Sequence, residues 1–314
     1  MKKNKKHYLI TGGLGFIGSA IANHLIQNNF KVTIYDNLSR GNKRRISKKG
    51  THNLRFINGD IRDFKKFNKS LNRVDAVIHL AYINGTKFFY TKPTEILEIA
   101  VKGIVNVIDA CKQKKIKEIY LASSSEVYQT PIKIPTDEYE PLKVPNVYNP
   151  RYSYGGGKIL TELMGVNFGK KFFKKLIIFR PHNVYGPDMG NEHVIPELIN
   201  RFKKLKGKNF KIQGNGTEIR SFIHIDDFVQ AFNFILKKGK HLNIYNIGTN
   251  EKVTIKELVK KLSKIFHKKI LIKKTKLAKG STKKRLPNIK KIKTLGFKQK
   301  IKLEEGLKFL VNNK

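Results

Sequence analysis

"TGGLGFIGS", residues 11–19, directly follows the apolar, β-branched run "HYLIT" at 7–11. Gly13, Gly15 and Gly18 satisfy G-x-G-x-x-G, and Gly12 adds a second register, G-x-x-G-x-x-G. Glycine is needed where the backbone turns sharply out of a strand and approaches a pyrophosphate, whose charge the N-terminus of the next helix then meets. The motif alone is weak, and its surroundings decide its meaning. An apolar helical pattern follows at Ile17, Ile21 and Leu25, and a second strand, "KVTIYD" (31–36), ends in Asp36. A carboxylate at that strand end accepts hydrogen bonds from the adenosine ribose and repels a 2′-phosphate, so Asp36 points to NAD rather than NADP. Asp36 as a turn residue ahead of "NLSRGN" is the competing reading, and Arg40 with the basic run after it would soften the exclusion of a 2′-phosphate. Asp60, which closes the third strand in "NGDIRD", is placed to reach the adenine side or to cap its own turn.

Working outward, strand-like runs continue at "LRFINGD" (54–60), "DAVIHLA" (75–81), "EIYLASSS" (118–125) and "KLIIFRP" (175–181), separated by helical patterns. Near-continuous hydrophobicity fits strands covered on both faces, and intervening helices imply a parallel sheet. The fold class is α/β, a Rossmann-type doubly wound parallel sheet. After about residue 185 the rhythm loosens into a helix near 193–206, a strand "FKIQG", a helix at 225–238, a strand "LNIYNIG" and a helix from 254. This predicts a dinucleotide-binding domain over 1–185 and a smaller C-terminal substrate-binding lobe over 186–314, with some chain crossing between them.

A chain of 314 residues with 39% hydrophobic content can bury a large core. The single cysteine, Cys111, excludes an internal disulfide and a cysteine-built zinc site, which fits a reducing cytoplasm. No apolar run is long enough to span a bilayer. The first 22 residues superficially mimic a signal peptide, but the glycine spacing argues against cleavage there. The formal charge of +42 suggests polyanionic partners. Lysine is spread over most helices, however, and no nucleic-acid-binding motif accompanies it, so the charge reads as compositional. The extreme is the acid-free stretch between Glu257 and Glu304, which contains "KKTKLAKGSTKKR". No His, Asp or Glu spacing suggests a metal.

A bound nicotinamide needs a neighbouring group that moves a proton as hydride moves, and tyrosine serves if its pKa falls from ~10 toward neutral. A close lysine ammonium on the same helix face favours the phenolate, and residues i and i+4 share a face. The chain holds two Tyr-x-x-x-Lys pairs. In Tyr139-Glu-Pro-Leu-Lys143 the proline interrupts any helix. In Tyr154-Gly-Gly-Gly-Lys158 nothing does, and "ILTELMGVNFG" continues the helix. Three consecutive glycines then need a reason, either close approach or substrate space beside Tyr154, or tight packing at a surface.

The motifs "TGGLGFIGS", "YDNLSRG", "GDIRD", "HLA", "SSSEVY", "YGGGK", "RPHNVYGP" and "RSFIHIDD" occur in an order that resembles the extended short-chain dehydrogenase/reductases of the NAD-dependent epimerase/dehydratase type, which act on nucleotide-linked sugars. The resemblance covers nearly the whole chain. It implies that Tyr154 is the catalytic acid/base and that Lys158 lowers its pKa and binds the nicotinamide ribose. Ser124 would hydrogen-bond the reacting sugar hydroxyl, with Ser123 and Ser125 as neighbours competing for that assignment and a helix-cap role as the alternative. Glu126 would be placed to abstract the C5 proton where the reaction is an elimination. Gly12, Gly15, Phe16, Ile17, Gly18, Asp36, Asn37, Asp60, Ile61 and Ala81, with Tyr154 and Lys158, make up the implied cofactor-binding set. Asn183, Arg220 and Arg285, with Ser124, make up the implied substrate set, the arginines serving the diphosphate. Ala100 departs from the family, whose members commonly carry asparagine there.

The reaction expected from this resemblance is transient oxidation at C4 of a nucleotide-diphosphate sugar, with 4-epimerisation favoured because no acid stands at Ser125 to form an Asp-Glu pair. A 4,6-dehydratase or uronate decarboxylase using Glu126 comes second, and a net dehydrogenase or ketosugar reductase third. Helices at 95–113 and 152–169 resemble those of the family's dimer interface, which implies a homodimer. His79 and His224 read as packing residues, and His182 and His193 carry no assigned role.

Overall fold

In strand β1 (His7–Thr11) Leu9 enters one apolar layer while Tyr8 and Ile10 enter another. The same alternation splits β4 (Ala76–His79), β5 (Glu118–Ala122) and β6 (Lys175–Pro181) between the two layers, after β2 (Lys31–Asp36) and β3 (Leu54–Asn58). Strands buried on both faces need apolar residues at every position, which is why each reads as an unbroken run. The computed structural model describes residues 5–48, 50–276, 280 and 282–312. Its main sheet has seven parallel strands in the order Ile244–Ile247, β6, β5, β4, β1, β2, β3. The strand order reverses between β1 and β4, and that switch point opens a crevice beyond their carboxyl ends.

The helices are α1 (Phe16–Gln27), α2 (Phe64–Ser70), α3 (Thr86–Thr91), α4 (Pro93–Gln113), α5 (Tyr152–Phe172), α6 (Val194–Lys203), α7 (Ile225–Lys238) and α8 (Ile255–Ile265), followed by a short helix and a C-terminal one, Leu303–Asn312. Helices α1 and α7 cover one face of the sheet, and α2, α4 and α5 cover the other. The inward stripe of α5 is unusual: Tyr154, Gly155, Gly157, Lys158, Thr161, Glu162, Gly165 and Gly169 are buried, so glycines and polar groups take the place of aliphatic side chains.

The strand read from "LNIYNIG" does not belong to the smaller lobe. It pairs with β6 in parallel register, Ile244 beside Ile178, because Phe228, Phe232 and Ile235 of α7 seal the same face as α1 and carry the chain back to the sheet. The remaining lobe packs α6, α8, Leu303–Asn312 and the parallel pair Asn209–Gln213 with Leu271–Thr275 around Leu198, Phe202, Phe210, Leu258 and Leu307. The basic stretch singled out above lies only partly within the described residues, since 277–279 and 281 fall outside them, as do the first four residues. Among the described residues no helix is long and apolar enough to cross a membrane.

Candidate active site

The glycine loop sits at the switch point. Gly12 adopts φ 67°, and a Cβ there would stand 2.8 Å from the Ala81 backbone. A Cβ on Gly18 would fall 2.2 Å from the Gly12 carbonyl oxygen, whereas one on Gly15 would meet nothing nearer than 3.1 Å. Gly15 is the N-cap of α1 and lines the cleft with Phe16 and Ile17, so the free amides of the first turn border the space a pyrophosphate needs. Asp36 lines the same cleft while its two oxygens accept from the Leu14 amide (2.9 Å) and the Leu38 amide (2.8 Å). The turn role therefore exists, and it clamps the glycine loop to the next one; a carboxylate has lone pairs left for ribose hydroxyls. Arg40 is committed elsewhere, donating to the Asn84 carbonyl and to Glu192 (3.1 Å) and lying over Phe88. Asn37, Ile61 and Ala81 border the cleft too. Asp60 does so while gripped by Arg62, whose hydrogen bonds pull its carboxyl down to about 2, with Asn37 as a further donor. These residues fit a dinucleotide along the carboxyl ends of the strands.

At the other end of the cleft α5 presents Tyr154 and Lys158 one turn apart, both buried. The Lys158 ammonium donates to the Ala122 carbonyl at 2.7 Å and lies 5.9 Å from the Tyr154 ring centre. The lowering of the Tyr154 pKa expected from Lys158 is not what the structure shows. Burial pushes the phenol up, against an opposing hydrogen bond from Ser124. Burial also drives Lys158 down to about 7, with Glu162 opposing, so at neutral pH it carries only part of a charge to offer Tyr154. Of the three serines, Ser123 donates to Glu162, Ser125 is buried in the 3-10 turn, and Ser124 reaches Tyr154 while capping the turn at the Glu126 amide.

Glu126 is bound. One oxygen accepts from Arg285 at 2.7 Å and the other lies 3.9 Å from Arg151. Burial pushes this carboxyl up, but Arg285, Arg151 and Arg220 outweigh it and hold the group below its ordinary value. Arg285 thus meets a carboxylate in the 3-10 turn Ser125–Tyr128 and also donates to Thr282. Arg220 donates to the Ile219 and Thr282 carbonyls and lines the cleft, with burial and the Arg285 charge lowering it to about 10. Asn183 lines the cleft at φ 41° and ties its amide to the Ser221 carbonyl.

Behind the Ser125–Tyr128 turn lies a buried polar network. Arg180 of β6 donates to both oxygens of Glu162 at 2.8 and 2.5 Å and to the Tyr128 hydroxyl at 2.6 Å. Tyr128 donates onward to Asn246, which also meets His182 at 3.0 Å. Burial drives His182 down to about 3, so it is a neutral member of this network rather than a group facing the substrate lobe. His79 is likewise held neutral, near 3, against Thr11. His193 occupies the N-cap position of α6 without a side-chain capping bond and is lowered to about 4, first by burial and then by Arg40.

Arg151, Tyr82 and the Arg180–Glu162 pair were not picked out in the sequence, although signals existed. Arg151 precedes Tyr154 by three residues, one helical turn; Glu162 follows Lys158 by four; and Arg180 is a fully buried charge in an otherwise apolar stretch of β6. Tyr82 had no local signal, because the residues it meets, Tyr154, Gly157 and Lys158, come from α5.

A family model described as the NAD dependent epimerase/dehydratase family matches residues 8–248. A Methanocaldococcus jannaschii protein with the provisional name UDP-glucose 4-epimerase is 34% identical over 312 residues, 97% of each chain. The UDP-N-acetyl-alpha-D-glucosaminuronate decarboxylase of Bacillus cytotoxicus is 32% identical over 268 residues, covering 84% of this chain and 81% of that one. Among solved structures, a UDP-N-acetylglucosamine 4-epimerase from Methanobrevibacter ruminantium, in complex with UDP-N-acetylmuramic acid, matches 98% of both chains with a TM-score of 0.88 and 28% identity.

Proposed function

The chain belongs to the NAD-dependent epimerase/dehydratase family, and from that premise we propose that it inverts C4 of a nucleotide-diphosphate sugar through transient oxidation at that carbon. That it is an NAD-dependent enzyme modifying a nucleotide sugar follows from the family and its relatives. The choice among reactions rests on Glu126. A 4,6-dehydratase needs a free carboxylate to take the C5 proton, and a carboxylate engaged by Arg285 and Arg151 is a weakened base. A uronate would bring a further negative charge. Three guanidinium groups against Glu126 leave two positive charges, which a diphosphate already neutralises.

Epimerisation asks less of the protein. Bound NAD supplies a reversible hydride acceptor for C4. With NAD bound, the positive charge of the nicotinamide would favour the Tyr154 phenolate against the burial that raises it, and Tyr154, hydrogen-bonded to Ser124, would take the C4 hydroxyl proton and later return it. Lys158 orients the cofactor ribose from its place on the Ala122 carbonyl. Gly12, Gly15, Gly18, Asp36 and Asn37 hold the dinucleotide, Asp60, Ile61 and Ala81 border its adenosine half, and Asn183, Arg220 and Arg285 hold the nucleotide sugar. Inversion follows when the 4-keto sugar offers its opposite face before the hydrogen returns.

We further infer a homodimer. Leu97, Val101 and Val105 of α4 and Leu163 and Phe172 of α5 are each 38–57% exposed on the outer side of two packed helices, an apolar stripe that a second copy would cover. Light scattering of the free protein tests this. The buried, lone thiol of Cys111 fits a cytoplasmic setting.

The reaction is tested by incubating the protein with a panel of UDP- and dTDP-sugars and following products by NMR and mass spectrometry. A C4 epimer of unchanged mass, without accumulating NADH, is expected. Loss of water, loss of carbon dioxide or stoichiometric NADH would overturn the reading.

A further inference from the structure

Tyr82 lies in the loop after β4, and the centre of its ring is 3.9 Å from the Lys158 ammonium. The same ring meets Tyr154 edge to face, with centres 5.2 Å apart at 88°. Among the described residues the other contacts of the ammonium are the Ala122 carbonyl and, more distantly at 5.9 Å, the Tyr154 ring, and no carboxylate is ion-paired with it. A cation held over an aromatic face in a desolvated site is attracted by the ring quadrupole. The hydroxyl of Tyr82 adds no anchor, because it is buried without a hydrogen-bond partner.

Two small residues make this placement possible. A Cβ on Gly157 would fall 2.1 Å from the Tyr82 hydroxyl and 2.6 Å from the Ala100 Cβ. A side chain at 157, or a longer one at 100, would compete for the volume that Tyr82 fills. We propose that Tyr82 is a positioning residue, its π face holding the Lys158 ammonium against the Ala122 carbonyl, and that Gly157 and Ala100 are small to admit it. The proposal rests on the role of Lys158 given above, but its geometry does not depend on which sugar is bound.

The groups facing Lys158 are Tyr82 from the β4 loop, His79 from β4, the Ala122 carbonyl from β5, and Tyr154 and Glu162 from α5. His79 is neutral, Glu162 is shared with Arg180 and the Tyr154 ring is more distant, so the Tyr82 ring is the nearest attraction that a single substitution removes. The test is an NMR titration of Lys158 in the 13C-lysine-labelled protein. Tyr82→Leu should lower its midpoint by about one pH unit, because the charged form loses the ring. Tyr82→Phe, which keeps the ring, should leave the midpoint unchanged. Gly157→Ala, which displaces an intact Tyr82, should shift it in the Leu direction, and it serves if the Leu variant does not fold. In turnover, Tyr82→Leu should lose about tenfold in kcat with little change in KM, and Tyr82→Phe should restore it. A Lys158 midpoint in folded Tyr82→Leu or Gly157→Ala equal to that of the wild type overturns the proposal. If the wild type turns over no nucleotide sugar, the functional reading fails, while the titration still decides the role of Tyr82.

Discussion

Two glycine-rich stretches build this site, and glycine is required in them for different reasons. In the loop at 12–18 the crowding neighbours of Gly12 and Gly18 are backbone atoms: the Ala81 backbone, the Gly12 carbonyl and Gly13 Cα. In the turn at 155–157 they are largely side chains from distant segments. Gly155 faces the Gln129 amide and the Glu126 carbonyl, Gly157 faces Tyr82 and Ala100, and Gly156 has only the Val144 side chain, at 3.5 Å. Space for a turning ketosugar is therefore not what these three positions provide. Two of them are packing notches and the third is open. A glycine fixed by backbone belongs to a motif, whereas one fixed by side chains is a property of the whole fold.

Tyr154→Phe removes the hydroxyl that the second stretch carries, and kcat should fall about 1,000-fold or more while NAD still binds, as calorimetry would show. Wild-type turnover would detach that turn from the chemistry. Lys158→Met tests the burial of the same turn through pH. The folded-state value near 7 lies below the unfolded 10.5, so between them the unfolded chain binds the extra proton and the wild type is stabilised as pH rises. Denaturant melts of the ligand-free protein should show the wild type gaining on the variant from about pH 7 to 10, by up to about 1.4 kcal/mol per unit. A difference flat with pH would mean Lys158 stays charged.

Gly18→Ala meets unyielding backbone and should destabilise by about 3 kcal/mol, with NAD affinity falling in parallel. Gly157→Ala meets side chains that can shift, so about 2 kcal/mol is expected from the melting midpoint. Gly156→Ala should instead stabilise α5, by up to about 1 kcal/mol, and leave kcat unchanged. Reversal of the order between Gly18 and Gly157 would erase the distinction between the stretches.

What could be read without coordinates follows the same division. β1, β2 and β6 lie where their apolar runs place them, because a strand buried on both faces writes its burial at every residue. Tyr154 and Lys158 share a helix face because spacing along one helix is local. The strand Ile244–Ile247 looked like part of the lobe because its partner, β6, is more than sixty residues earlier and no local pattern records the pairing. Glu126 was visible, but its state was not: Arg285 approaches from 159 positions away. Arg180, conspicuous as a charge in an apolar strand, makes sense only beside Glu162 and Tyr128. The raised rather than lowered Tyr154 belongs with these, since burial depends on everything packed around α5.

In the proposed reaction the sugar is oxidised and reduced at C4 with Glu126 held out of the chemistry. Turnover of a nucleotide sugar in deuterium oxide, with the product read by NMR, tests it directly. A C4 epimer with no deuterium at C5 is expected, in the wild type and in Glu126→Gln, which should keep appreciable activity. Deuterium at C5 that disappears with Glu126→Gln would contradict it and make Glu126 the base of an elimination.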